Sequence, residues 1–88
     1  WLVEPVHRPR QFRQEFLAKL YFARQEGAAT LHSLLDNQRT ASHALLGDLG
    51  ARIDALPEDR RYERAVYRLR FHQTEAHLLW LEACQEEI

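Results

Sequence analysis

Methionine is absent from these 88 residues, cysteine occurs once, and glycine and proline occur three times each. A single cysteine, Cys84, cannot close an internal disulfide, which suits a reducing cytoplasm. No apolar run approaches the ~18–20 residues that a membrane span needs. No basic and apolar signal peptide stands at the front. The net charge of −1 argues against nucleic acid as a direct ligand, because phosphate binding relies on excess Lys and Arg. Glycine-rich phosphate loops, paired-cysteine metal signatures and His-Glu-x-x-His runs are all missing. With no methionine anywhere and Trp at position 1, residue 1 is expected to be an internal position of a longer natural chain.

What is present is a hydrophobic share of 45%, normal for a globular protein and too high for disorder. The length allows one domain, and a chain this short often needs a partner to bury the apolar faces of long helices. Residues 1–9 read as the end of an upstream helix followed by a linker. Pro5 and Pro9 each disfavour helix at the residue before them, which makes Pro5–Pro9 an extended connector.

Residues 10–88 read as an all-α domain of three main helices. From about Arg10, Phe12, Phe16, Leu20 and Ala23 form one amphipathic stripe, widened by Leu17 and Tyr21. Glu15 and Lys19 make an i, i+4 pair off that stripe. Gly27 ends this helix, since glycine tolerates the left-handed conformation at a helix terminus. A longer helix from about Ala28 carries Leu31, Leu34, Leu35, Leu45, Leu49, Ile53 and Leu56, with Gln38, Ala41 and Ser42 diluting the middle. Gly47 and Gly50 mark either a bend or a close approach by another backbone. Pro57 stops the run.

The last helix is expected to restart near Glu58–Asp59, with Asp59 as its N-cap. Two apolar rows run along it. Tyr62, Val66, Leu69, Ala76, Trp80 and Ala83 make the first; Tyr67, Phe71, Leu78, Leu81 and Ile88 make the second. A helix apolar over so much of its circumference packs on more than one side. In a chain with two other helices, the second side most naturally meets another copy. Arg60, Arg61, Arg64, Arg68 and Arg70 crowd its first half, and Glu75, Glu82, Glu86 and Glu87 its second. That order opposes the helix dipole, while antiparallel pairing with a second copy sets base against acid. The competing reading is a solvated surface, on which such pairs contribute little.

Reactive groups are scattered. His72 and His77 stand five apart and point in different directions. His32 and His43 share a face at a separation of ~16 Å, and His7 lies in the connector. None is expected to ligate a metal. Cys84, seven residues after His77, reads as a small buried hydrophobe and not a nucleophile. The Arg60–Arg70 cluster is interleaved with Glu58, Asp59 and Glu63 and lacks stacking partners for single strands. As a groove-reading helix, the second helix would have only Arg39 in its early half. No catalytic residue, metal or cofactor is expected, and an enzyme is the least favoured class. Tyr21, Phe22, Phe71 and Trp80 are candidates either for an apolar ligand pocket between helices or for ordinary core packing.

Trp1-Leu2-Val3-Glu4-Pro5-Val6, then Arg8-Pro9-Arg10, then Glu15-Phe16-Leu17-Ala18-Lys19-Leu20-Tyr21-Phe22-Ala23, resembles the start of the C-terminal domain of PadR-type bacterial transcription regulators. This is the domain also named after the alpha virulence activator. Leu34-Leu35-Asp36-Asn37-Gln38-Arg39 and Glu75-Ala76-His77-Leu78-Leu79-Trp80-Leu81 are similar to its second and third helices, so the resemblance spans essentially the whole chain. It implies a preceding winged helix-turn-helix domain, absent here, and a helical domain that joins two subunits so that both DNA-reading heads face one operator. It also implies, for some members, release of DNA by a small aromatic effector.

These readings converge on a cytoplasmic dimerisation module, its two long helices forming a coiled-coil-like bundle. Leu45, Leu49, Ile53, Val66, Leu69, Gln73, Ala76 and Trp80 are the expected dimer interface, and Tyr21, Phe22, Phe71 and Trp80 the possible effector pocket. The expected partners are a second copy, operator DNA through the missing domain alone, and a possible small aromatic effector; no membrane is expected. The alternatives are a helical protein–protein adaptor and a bundle that binds a small aromatic ligand without a DNA role.

Overall fold

Phe12 and Phe16 carry the chain into its first helix with both rings turned inward. The computed structural model describes residues 1–7 and 12–87. In it a π-helical turn, Phe12–Phe16, leads directly into α1 (Leu17–Glu26), followed by α2 (Ala28–Ala55) and α3 (Arg61–Glu87), with no strand among the described residues. The fold is all-α, and its two long helices pack against each other. The expected helix start at Arg10, the far end of the connector at Arg8 and Pro9, and Ile88 lie outside the described residues.

Sequence chemistry places the breaks. Gly27 has φ 120° and ψ 171°, a region open essentially to glycine alone. Its carbonyl accepts from the Leu31 N–H at 3.1 Å, so α2 starts at once. At the other end Leu56 turns extended, φ −72° and ψ 136°, because the ring of Pro57 excludes the helical conformation from the residue before it. α3 begins later than its sequence suggests. Pro57 to Arg60 form a turn closed by the Arg60 N–H on the Pro57 carbonyl at 3.1 Å, and Arg60 accepts the first helical bond, from the Arg64 N–H at 3.0 Å. Asp59 therefore sits one residue outside the cap position, which corrects the expectation that it caps the helix.

The short turn makes α2 and α3 antiparallel. Gly50 faces Phe71, while Asp36 and Arg39 meet Gln85, so each step up one helix is a step down the other. The core comprises Val6, Phe12, Phe16, Ala23, Leu31, Leu34, Leu35, Leu78, Leu81 and Cys84. It lies where the π turn and α1 close over the first half of α2 and the second half of α3. The stripe Phe12, Phe16, Leu20 and Ala23 faces inward as expected, the first two and Ala23 fully and Leu20 in part.

Two residues read as peripheral are buried. Lys19 is 3% exposed; its ammonium donates to the Glu4 carbonyl at 2.7 Å and lies 5.2 Å from the centroid of the Trp1 ring. Its expected partner Glu15 accepts instead from the Trp1 indole N–H at 3.3 Å. A lysine can bury its four-carbon stem when a carbonyl and an aromatic face receive the head. Gln38, 1% exposed, holds the N-terminal segment rather than diluting a leucine stripe.

Candidate interaction surface

Four- and three-residue steps along α3 generate two apolar rows set five residues apart, about 140° around the helix at 3.6 residues per turn. One row turns inward: Thr74, Leu78 and Leu81 are buried, with Tyr67 and Phe71 half-buried beside them. Thr74 satisfies its hydroxyl on the Arg70 carbonyl at 2.8 Å, so a polar residue sits in this row at little cost. Phe71 lies against Gly50, where a Cβ would stand 3.5 Å from its ring.

The other row stays open. Tyr62 is 78% exposed, Leu69 60% and Trp80 37%; Gln73, Ala76 and Ala83 are exposed too, and Val66 is half-buried. From Tyr62 through Val66, Leu69, Gln73, Ala76 and Trp80 to Ala83 the steps alternate strictly between four and three, the seam spacing of a coiled coil. Its length is about 32 Å at 1.5 Å per residue. The row lies about 140° around α3 from the face packed on α2, which is why the chain itself leaves it bare.

At its C-terminal end the row runs into an aromatic cluster. Trp80 meets Phe12 edge-on at 5.7 Å and Phe16 at 5.9 Å, while Phe12 stacks on His77 at 3.8 Å and on Phe16 at 4.8 Å. Burial holds the His77 imidazole below its ordinary pKa, so it packs as a neutral ring. His72 instead lies on the exposed side, 2.8 Å from Glu75. Cys84 is buried, and its thiol is pushed up first by burial and then by the charge of Glu87; a thiol held protonated is unreactive.

The expected interface residues divide. Leu69, Gln73, Ala76 and Trp80 are exposed on the open row, and Val66 borders it. Leu49 is buried within the chain, and Leu45 and Ile53 are half-buried. The four candidate pocket aromatics do not meet in one place among the described residues. Tyr21 and Phe22 touch each other at 5.4 Å on exposed α1. Phe71 lines an open cleft of about 320 Å³ with Gly50, Ile53, Asp54, Arg68 and His72. Trp80 is nine residues further along α3, roughly 13 Å away along the axis.

Charge is distributed as the sequence orders it, with two exceptions. The Arg64 guanidinium donates to the carbonyls of Leu56 at 3.0 Å and Pro57 at 3.1 Å, closing the end of α2 instead of facing outward. Arg52 lies 5.9 Å from the Tyr67 ring centroid and ties the two helices. Among the described residues no group of three His, Cys, Asp or Glu stands close enough to hold a metal ion, and no helix is long and apolar enough to cross a membrane.

Sequence reasoning missed Gln38. Val6 donates its N–H to Gln38 Oε1 at 2.7 Å, and Gln38 Nε2 donates to the Val6 carbonyl at 2.9 Å and to Ser42 Oγ at 3.1 Å. Its signal was positional: Gln38 and Ser42 extend the stripe of Leu31, Leu34 and Leu35 at helical spacing, where a polar residue is buried and must be bonded.

The family described as virulence activator alpha C-term matches residues 12–88. No curated protein and no solved structure matches the chain.

Proposed function

The chain belongs to the virulence activator alpha C-terminal family, a helical domain related to transcription regulation, and on that premise we propose that it is a non-enzymatic dimerisation module of a PadR-type bacterial regulator, acting in the cytoplasm. In this reading two copies join through α3, and the joined helical bodies set the distance and orientation of two DNA-reading heads that precede them. Operator half-sites about one helical turn apart would be matched by geometry alone. The heads, and not these residues, would contact DNA.

The observation that carries the reading is the open row on α3. A single helix has no use in water for a second apolar seam of about 32 Å, and two-fold pairing is the commonest way to cover one. Charge supports the same partner. The basic first half of α3 and its acidic second half complement each other when two copies run antiparallel, which steers pairing more than it strengthens it.

Light scattering over a tenfold concentration range tests this directly, on the unchanged chain and on Leu69→Glu. Leu69 is 60% exposed, so a charge there leaves the protomer folded while placing an unpaired carboxylate in the seam. The expected result is a dimeric mass for the unchanged chain and a monomeric, equally helical Leu69→Glu. A monomer at every concentration in the unchanged chain overturns the proposal.

A further inference from the structure

The segment before the first helix is held to the helical body at four separate points. The carbonyl of Val3 accepts from Asn37 Nδ2 at 3.0 Å, that of Glu4 from Lys19 Nζ at 2.7 Å, and Val6 exchanges two bonds with the Gln38 amide. Trp1 adds its ring over the Lys19 ammonium and its indole N–H on Glu15. Backbone atoms receive most of these contacts. The receiving surface therefore holds this segment by its main chain, from two neighbouring positions of α2 (Asn37, Gln38) and one position of α1 (Lys19).

Gln38 is the centre of this arrangement. A primary amide carries a donor and an acceptor side by side, the same pair that one residue of a peptide presents along its edge. At 2.7 Å and 2.9 Å both are engaged with Val6, as two residues engage across an antiparallel ladder. The Val6 N–H can only donate and its carbonyl only accept, which fixes which way the amide points, and the second N–H of the amide is taken by Ser42 Oγ. With Gln38 1% exposed and Val6 5% exposed, water does not compete for these bonds.

We propose that Gln38 is a positioning residue: its buried amide, its spare N–H taken by Ser42, locks the main chain of Val6 and so sets the direction in which the polypeptide enters the helical body. Resting on the assembly reading above, this lock is what would make the orientation of any upstream head a fixed property of the dimer and not of a swinging linker. Lys19, on Glu4, and Asn37, on Val3, extend the lock by two and three residues toward Trp1.

The chain with Gln38→Leu and with Gln38→Glu separates the lock from mere stability. Leucine fills the site but offers neither bond. Glutamate offers both only when neutral, with a carbonyl to accept from Val6 N–H and an O–H to donate to Val6 O; as a carboxylate it only accepts. Burial raises the pKa of such a carboxyl, so its neutral form is reachable at mildly acid pH. Amide exchange is read at Val6, with Leu34 as the internal reference, alongside the spread of distances between spin labels at Val3→Cys and Glu58→Cys in a Cys84→Ala background. Expected for Gln38→Leu is a loss of Val6 protection of about 10- to 100-fold and a broadened distance distribution, with Leu34 protection retained. Expected for Gln38→Glu is the same loss at pH 8 and recovery toward the unchanged chain at pH 5, after correction for intrinsic exchange. Equal Val6 protection and equal distance spread in all three proteins overturns the proposal, as does a Gln38→Glu protein indifferent to pH. The mass of the unchanged chain, measured separately, decides the assembly reading without touching this one.

Discussion

Replacing each glycine by alanine gives three outcomes of calculable sign. α2 runs unbroken through Gly47 and Gly50, so each pays the helical glycine penalty of ~0.8–1 kcal/mol relative to alanine. A Cβ at Gly47 meets nothing within 4 Å, and at Gly50 it meets Phe71 Cε2 at 3.5 Å, an ordinary contact. Gly47→Ala and Gly50→Ala should therefore each stabilise the protomer by most of that penalty. At roughly 4–8 °C per kcal/mol for a domain of this size, the melting temperature rises by about 3–8 °C in each. Gly27 is the opposite case. Space is open there too, but φ of 120° with ψ of 171° is a conformation that L-residues avoid, and alanine should cost about 1–3 kcal/mol. Far-UV circular dichroism melts at several concentrations, with the mass recorded at each, read all three. A fall in melting temperature for Gly47→Ala would falsify the reasoning, because it would mean that something does approach that surface closely.

Phe16 is fully buried among Phe12 and Trp80, so Phe16→Ala should destabilise by ~3–5 kcal/mol. For a domain with ~4–13 kcal/mol in all, that removes from about a quarter to all of the stability and lowers the urea midpoint in proportion; an unchanged midpoint would contradict the packing described. His77 predicts a pH dependence. Its folded pKa lies below the ordinary value of about 6.5, so the unfolded chain binds the proton more readily, and this contribution is full above that value and lost as pH falls beneath it. His77→Phe keeps a ring on Phe12 and should flatten that part of the stability profile between about pH 7 and 5; a profile identical to that of the unchanged chain removes His77 as its source.

The three-helix, all-α order was legible because hydrophobic period and chain-breaking residues are local properties. Gly27 and Pro57 end their helices through their own backbone limits, and the stripe from Phe12 to Ala23 faces inward at its helical spacing, while Leu17 and Tyr21, expected to widen it, stay exposed. The two rows of α3 were legible as rows for the same reason. Which row the chain keeps for itself was not, since the period is equal in both; the antiparallel docking of α2 decided it, covering Leu78 and Leu81 and leaving Tyr62 and Leu69 bare. Leu49, read as interface, was likewise claimed by the protomer's own interior. Lys19, Gln38 and Arg64 lay further out of sight. Each is polar, and a polar residue shows its worth only when its partner is known: Glu4, Val6, and the carbonyls of Leu56 and Pro57. Those partners are main-chain atoms seven to thirty-two residues away, which carry no side-chain signature for a sequence to display. Helices and their faces thus follow from the sequence by itself; the choice of face and the capture of the N-terminal segment follow only from how the helices come together.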